Sequence, residues 1–465
     1  MRYLLLLAFL LPLATTNAQK ESEKPGMYLV TFKDKKDTPY STKKPVAFLS
    51  ERALLRRAAH NSPITELDLP LSPTYLKEVA STGAKLWLKS KWINGVVVSA
   101  AGPQVKALRK LNAVINVTFV APVQYERASV MPIIPNLDRP QPVVESVPVE
   151  ERFYGYGWKN MSGMKGDSLH RWGFRGKGVL IGVFDGGFPN VNYKDFLGYD
   201  DKAAIPANYD IVEQDTTALD GSTHGATVLS TMAAHHPFFF IGTAPEARYV
   251  LFKTENGRGE HRLEEINFAV ALELADSIGV DVVNSSLGYT TFSSKEMNYK
   301  YEDLDGKTSP ASTAITHAFQ RGMIIVVSAG NSGADDWKYV STPADSPEAF
   351  SIGALNADGS RAYFSSLGPT ADGRTKPDVS ALGVDVAAVA ANGRGLTGAN
   401  GTSLASPLVA GLMACLRQAV PDATNQELLD AVRSTADQAD SPDNERGYGQ
   451  PNFAAAYRAL MRSRK

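Results

Sequence analysis

The sequence predicts an α/β protein: a doubly wound, mostly parallel sheet with helices on both faces, preceded by a small α+β domain. Continuous apolar runs rich in β-branched residues alternate with helical patterns over residues 152–465. Strands buried on both faces have this composition. The chain of 465 residues is also long for one core, because single cores rarely grow past about 250–300 residues.

Residues 1–18 have the layout of a secretory signal peptide. A basic second residue precedes the apolar run Leu4–Leu13, and the small residues Thr16 and Ala18 stand before a cleavage point. The apolar run has about half the length that a membrane-spanning helix needs. We therefore expect a secreted protein, in the periplasm, at the cell surface or in the medium, without a membrane span.

The overall composition indicates no charge-driven partner. Lys plus Arg number 48 against 49 Asp plus Glu, and 43% of residues are hydrophobic. Such a balance gives no reason to expect nucleic acid or an anionic membrane as a partner. The one cysteine, Cys415, lies in an apolar run, where a buried small hydrophobic residue is expected.

The part before the main domain divides into two regions. Residues 19–124 mix strand and helix patterns and form the predicted α+β domain. Residues 125–151 contain five prolines and little periodicity, which is typical of an exposed linker open to cleavage. The predicted strands are Tyr28–Phe32, Ala84–Trp92, Gly95–Ala100 and Val114–Val120, and the predicted helices are Thr74–Val79 and Val105–Leu111.

The main domain, residues 152–465, supplies the parallel sheet. In such sheets ligands bind at the carboxyl ends of the strands, so the residues that follow each strand are the first candidates for a site. The predicted strands are Val179–Phe184, Tyr249–Phe252, Val280–Val283 and Met323–Val327, with helices at Leu263–Ile278 and Pro310–Arg321.

Three polar residues follow these strands or open a helix. Asp185 stands at a strand end before two glycines, His224 opens a helix of small residues, and Asn331 follows another strand. Each has an ordinary structural explanation when taken alone, because Asp-Gly and Asn-Gly sequences also form turns and single histidines are usually structural.

The run Gly401–Pro407 is the strongest signal. It precedes the apolar helix predicted at Leu408–Ala419 and places Pro407 in that helix's first turn, where a missing N–H costs nothing. Ser403 then lies at the amino end of the helix, where backbone N–H groups stabilise negative charge. Helix capping is the structural alternative, but it does not explain the surrounding Gly-Thr-Ser-x-Ala-Ser-Pro pattern.

Taken together and in this order, these segments resemble the subtilase family of serine peptidases. Agreement extends to Gly242–Pro245, Asp281–Gly288 and Gly447–Asn452. The order Asp, His, Ser along the chain is the order of subtilisin. The resemblance implies a subtilisin-like fold for residues 152–465.

The resemblance also implies roles for the site residues. Ser403 would be the nucleophile that forms an acyl-enzyme, His224 the general base and acid, and Asp185 the residue that orients His224. Asn331 would stabilise the oxyanion. The substrate-binding segments would be Ser286, Leu287 and Gly288, and Ala329 and Gly330. Neither segment carries a charge, which favours an apolar or aromatic residue before the cut.

By the same resemblance, residues 19–124 are similar to a propeptide that assists folding and then acts as an intramolecular inhibitor until it is cut away. A permanent interaction domain is the alternative. The other expected partners are polypeptide substrates. The chemistry requires no cofactor and no metal; calcium is common in the family, but Asp200, Asp201, Asp303 and Asp305 are only acidic loop positions.

Other functions fit less well. A sedolisin-type peptidase would carry an acid where Asn331 stands and would lack His224-Gly225, and an α/β-hydrolase would need Gly-x-Ser-x-Gly, which no serine here fits. Gly306-Lys307-Thr308 lacks the first glycine of a phosphate loop. From a different functional class, a catalytically inactive binding protein on the same fold remains the alternative, although all four reacting groups are present.

Overall fold

The computed structural model describes residues 24–122, 151–191, 204–215, 217–257 and 259–464. The predicted signal peptide, almost all of the predicted linker, and Asp200 and Asp201 lie outside these residues. The described chain forms two compact units. One contains residues 24–38, 71–89 and 94–122, and the other contains residues 39–70, 90–93 and 151–464.

The helices are α1 (Glu51–Ala59), α2 (Pro73–Ser81), α3 (Gly102–Leu108), α4 (Glu151–Tyr154), α5 (Trp158–Ser162), α6 (Gly166–Arg171), α7 (His224–Ala233), α8 (Arg262–Ile278), α9 (Pro310–Gln320), α10 (Thr402–Ala419), α11 (Asn425–Ser434) and α12 (Phe453–Ser463). The strands are β1 (Gly26–Phe32), β2 (Lys85–Ser90), β3 (Gly95–Ala100), β4 (Val114–Ala121), β5 (Leu180–Asp185), β6 (Ala207–Asp210), β7 (His235–His236), β8 (Phe240–Ile241), β9 (Arg248–Lys253), β10 (Val282–Ser285), β11 (Ile324–Ser328), β12 (Ala349–Leu355), β13 (Val379–Leu382), β14 (Val386–Val389) and β15 (Leu396–Ala399).

The first unit is a four-stranded sheet in the order β2-β3-β1-β4. The central strand β1 is antiparallel to both β3 and β4. Alternate residues of these strands, such as Tyr28, Val30 and Val98, form an apolar cluster with Val79 of α2 and Val105 of α3. One face of the sheet is therefore covered by these helices, as expected of a small α+β domain.

The second unit contains a seven-stranded sheet in the order β13-β12-β11-β10-β5-β9-β6. Every neighbouring pair in it is parallel. Strand β5, the first along the chain, lies between β9 and β10, so the strand order reverses there and the carboxyl end of β5 is the expected position of a site. The predicted α/β fold with a parallel sheet is confirmed.

Helices cover both faces of this sheet. α10 packs on β10, β11, β12 and β13 from one side, while α8 contacts β5 and α9 contacts β11 and β12. All residues of α10 from Thr402 to Arg417 are buried, so this helix forms part of the main core. Cys415 is among them as a free thiol, as the sequence predicts. None of the described helices combines the length and apolarity that crossing a membrane requires.

Candidate active site

Asp185 and His224 form a hydrogen-bonded pair at the carboxyl end of β5. The Nδ1 atom of His224 lies 3.0 and 2.9 Å from the two carboxylate oxygens of Asp185. Because a carboxylate only accepts hydrogen bonds, Nδ1 carries the donated proton and Nε2 of the neutral ring is left as the basic nitrogen. Asp185 is 1% exposed, whereas the His224 side chain is 40% exposed, so the imidazole is the accessible member.

Local sequence makes this pair possible. Helix α7 begins at His224, and the glycine that follows permits close approach to the strand. A Cβ at Gly225 would lie 2.8 Å from the Asp185 Cβ and 2.4 Å from the Gly187 carbonyl oxygen, so no side chain fits. The negative charge of Asp185 raises the pKa of His224, against the opposing effect of burial.

Ser403 is the second residue of α10, and here one expectation was wrong. The sequence placed the helix start after Pro407, but the helix begins at Thr402 and contains Pro407 internally. Proline has no N–H for the carbonyl four residues earlier, which here belongs to Ser403. The hydroxyl of Ser286 donates to that carbonyl at 2.8 Å and so replaces the missing helical hydrogen bond.

The Ser403 hydroxyl is held close to the preceding turn. Gly401 has φ +145°, and a Cβ there would lie 2.8 Å from Ser403 Oγ. Within the described residues the hydroxyl makes no hydrogen bond, including to His224, although α7 and α10 pack against each other. Hydrogen bonds between catalytic groups are often long in the absence of substrate and shorten when it binds.

Asn331 is fixed from one side only. Its Oδ1 accepts hydrogen bonds from the backbone N–H of Thr402 at 2.9 Å and from the Thr402 hydroxyl at 3.0 Å. Within the part of the chain that the structure describes, the amide nitrogen of Asn331 and the backbone N–H of Ser403 make no hydrogen bond. Two free donors are thus tied to the same short stretch of chain. The sequence did not single out Thr402, whose only signal was its place beside Ser403.

The predicted substrate-binding segments follow adjacent parallel strands. Ser286, Leu287 and Gly288 follow β10, and Ala329 and Gly330 follow β11. The carboxyl ends of parallel strands meet at one edge, which is also the edge of Asp185. The Ser286 side chain is used internally, however, so only its backbone is left for a bound peptide.

A chain of hydrogen bonds holds Ser286 behind the nucleophile. Ser406 of α10 donates to Asn284 Oδ1 at 2.7 Å, and the Asn284 amide donates to Ser286 Oγ at 3.2 Å. Asn284 and Ser406 are both fully buried. The end of β10 and the first turn of α10 are therefore joined by side chains that the sequence alone did not indicate.

Three carboxyls near the site are the only described group with metal-ligand spacing. Oxygens of Glu255, Glu260 and Glu264 lie within 4.8 Å of one another. Burial raises the pKa of Glu255 and of Glu264, which favours shared protons between them. Asp303 and Asp305 instead accept hydrogen bonds from backbone N–H groups of their own turns.

Two family models match the chain. The model described as the subtilase family, peptidase S8, matches residues 176–450. A second, described as the peptidase S8 propeptide domain of Bacteroidota, matches residues 27–132.

Curated relatives and solved structures agree. Subtilisin NAT of Bacillus subtilis subsp. natto is 30% identical over 283 residues, which cover 59% of this chain and 65% of that protein. Subtilisin BL of Lederbergia lenta is 30% identical over 305 residues, 64% of this chain and 97% of that protein. The crystal structure of MycP1 with the N-terminal propeptide removed matches with a TM-score of 0.50 and 21% identity over 64% of this chain and 96% of that chain, which supports the fold alone. The chain therefore belongs to the subtilase family, whose members are serine endopeptidases.

Proposed function

We propose that this protein is a secreted serine endopeptidase that cleaves polypeptides through an acyl-enzyme on Ser403. The observation that carries the proposal is the Asp185–His224 pair, placed at the sheet edge where α10 begins with Ser403. His224 Nε2 takes the proton of the Ser403 hydroxyl as its oxygen attacks the peptide carbonyl, because a serine is a weak nucleophile without an adjacent base.

The negative charge that develops on the carbonyl oxygen needs donors. The Asn331 amide and the Ser403 N–H are the two donors left open at this edge, and donors fixed before the reaction stabilise such charge most. His224 then returns the proton to the leaving amine, and water attacks the acyl-enzyme by the same route in reverse. Asp185 keeps the imidazole oriented and stabilises its charged form.

The peptide would bind along Ser286–Gly288 and Ala329–Gly330. Neither segment carries a charged side chain, so we expect an apolar or aromatic residue before the cut. The leader, whose residues 27–132 match a propeptide model, would inhibit the enzyme until it is cut away. Residues 1–18 would direct export.

The experiment that tests this function compares the purified protein with its Ser403→Ala variant. We expect casein turnover and labelling by a fluorophosphonate probe for the natural chain, and neither for the variant. A peptide library then gives the preferred residue before the cut. A natural chain that has lost its leader, is folded and neither labels nor cleaves casein would instead indicate the inactive binding protein.

A further inference from the structure

Part of the propeptide-like leader is built into the catalytic unit. The propeptide model spans residues 27–132, yet residues 39–70 belong to the same compact unit as residues 151–464. This segment contains helix α1 (Glu51–Ala59), which the sequence analysis did not predict. The contacts of α1 explain why the segment groups with the catalytic unit.

The start of α1 caps the carboxyl end of α8. The last carbonyls of a helix have no partner within the helix and need donors from elsewhere. Ser50 N–H donates to the Ser277 carbonyl at 2.9 Å, and the Ser50 hydroxyl donates to the Ile278 carbonyl at 2.8 Å. Two donors from one residue thus satisfy two consecutive carbonyls.

Arginines of α1 complete the same cap. Arg52 Nε donates to the Gly279 carbonyl at 2.9 Å, and Arg56 donates to the carbonyls of Asp276 and Val280. Five consecutive carbonyls, from 276 to 280, therefore receive donors from Ser50, Arg52 and Arg56. Positive side chains are favoured at this end of a helix by its dipole.

The same arginines are paired with buried carboxylates. Arg52 bonds to Asp281, and Arg56 and Arg57 both bond to Asp276, which is fully buried. We name the three arginines of α1 with their carboxylate partners the arginine clasp; its members are Arg52, Arg56, Arg57, Asp68, Asp276 and Asp281.

A second pairing ties the segment to α9's end. Asp68 accepts a hydrogen bond from Arg57 at 2.8 Å and another from Arg321, just after α9, at 2.7 Å. All of these charged side chains are less than 10% exposed. Because every charge has an opposite partner with hydrogen-bonding geometry, the clasp avoids the cost of an unpaired buried charge.

We propose that residues 45–70 are a resident part of the catalytic unit, which the arginine clasp keeps bound after the remainder of the leader has been removed. The mature protein would then be a complex of two chains. This inference rests on the proposed maturation by cleavage of the leader, but its test does not use the protein's own activity.

The test uses the full chain with Ser403→Ala, so that only an added protease cuts it. Digestion is continued until peptides from residues 24–38 and 94–122 have disappeared, and the folded catalytic chain is recovered by gel filtration. We expect mass spectrometry to find a peptide that contains residues 50–68, at about one copy per catalytic chain. A folded catalytic chain recovered without that peptide would overturn the inference.

Two variants in the Ser403→Ala background cover the case in which the leader resists digestion and stays whole. Arg56→Ala/Arg57→Ala removes the bonds to Asp276, and we expect the cut leader to dissociate at least about 100-fold faster, since loss of one partner of a buried charge pair acts mainly on dissociation. Leu55→Ala alters the same helix on its exposed side and should leave the rate unchanged. Equal retention in both variants would contradict the clasp.

Discussion

Asp185 and Asp276 are both buried carboxylates, yet their surroundings are opposite. Asp185 hydrogen-bonds to His224, whose ring is partly exposed, and donors beside it on Asn331 and Ser403 are left open. Asp276 is enclosed by Arg56 and Arg57, and its neighbours leave no carbonyl from 276 to 280 without a donor. The first arrangement leaves groups free to meet a substrate, whereas the second satisfies every group and serves binding.

The sharpest way to break the open arrangement is Asp185→Asn. We expect kcat to fall about 10⁴-fold, as for the corresponding change in a Ser-His-Asp triad, because the wrong imidazole tautomer is favoured. Steady-state kinetics on a peptide substrate measure this. An effect below about 10-fold would mean that Asp185 does not orient the base.

The pH profile sharpens the same point. Asp185 raises the pKa of His224, and a base must be neutral to accept a proton. We therefore expect kcat/KM of the natural protein to fall as the pH drops through a midpoint above the ordinary histidine value of about 6.5. In Asp185→Asn the residual activity should have a lower midpoint; an unchanged midpoint would assign that limb to another group.

The closed arrangement is broken by Arg57→Ala. Removal of one partner of a buried ion pair costs about 3–5 kcal/mol, so the free energy of unfolding of the full Ser403→Ala chain should fall by this amount in urea titrations. Leu55→Ala, on the exposed side of α1, is the matched control. A loss of less than about 1 kcal/mol would show that the clasp acts as an ordinary surface pair.

Acid should reveal the same pairing. Burial raises the pKa of Asp276, but Arg57, Arg56 and Lys91 outweigh it, and the net pKa lies below its ordinary value. The stabilisation is then present above the unfolded carboxyl value of about 3.9 and is lost as the pH falls through the lower folded value. The stability difference between the natural residue and Arg57→Ala should thus be constant near neutral pH and shrink only in strong acid.

Asn331→Ala tests an open donor. We expect kcat to fall about 10²–10³-fold with little change in KM, the size found for the corresponding asparagine of subtilisin, because the donor acts mainly on the transition state. Thr402→Val, which removes the hydroxyl that holds Asn331 but keeps the amide, should have a smaller effect in the same direction. A KM effect without a kcat effect would place Asn331 in substrate binding.

The smallest effect is expected for Ser286→Ala. Its hydroxyl supplies the one hydrogen bond that Pro407 cannot give to the Ser403 carbonyl. Loss of a typical internal hydrogen bond costs about 1 kcal/mol, so we expect a several-fold decrease in kcat and a comparably small loss of stability. Unchanged kinetics would mean that the first turn of α10 holds its position without this bond.

The sequence predicted the apolar elements well, because periodicity reports burial in an apolar core. The strands around β5 and the helices α8 and α9 lie within about two residues of their predicted bounds, as is usual for strongly patterned segments. β12 and β13 were missed because their runs are short and rich in Ala, Ser and Gly. The site residues were found through motifs, not through periodicity.

The polar contacts could not be predicted. In α1 the usual pattern is inverted: Arg52, Arg56 and Arg57 are buried while Leu55 is half exposed. A hydrophobicity pattern cannot detect such a helix, since the partners Asp276 and Asp281 lie more than 200 residues away. The link from Ser286 to Ser403 escaped for the same reason.

The position of α10 bears on how the protein responds to heat. The helix that presents Ser403 at its first turn is also a central piece of the hydrophobic interior, with Leu408, Leu412 and Leu416 fully enclosed. Its first turn has no independent scaffold that could distort while the remainder stays intact. Catalytic turnover should consequently persist up to the melting transition and vanish within it, so that residual activity after heating reports directly on the fraction of molecules still folded.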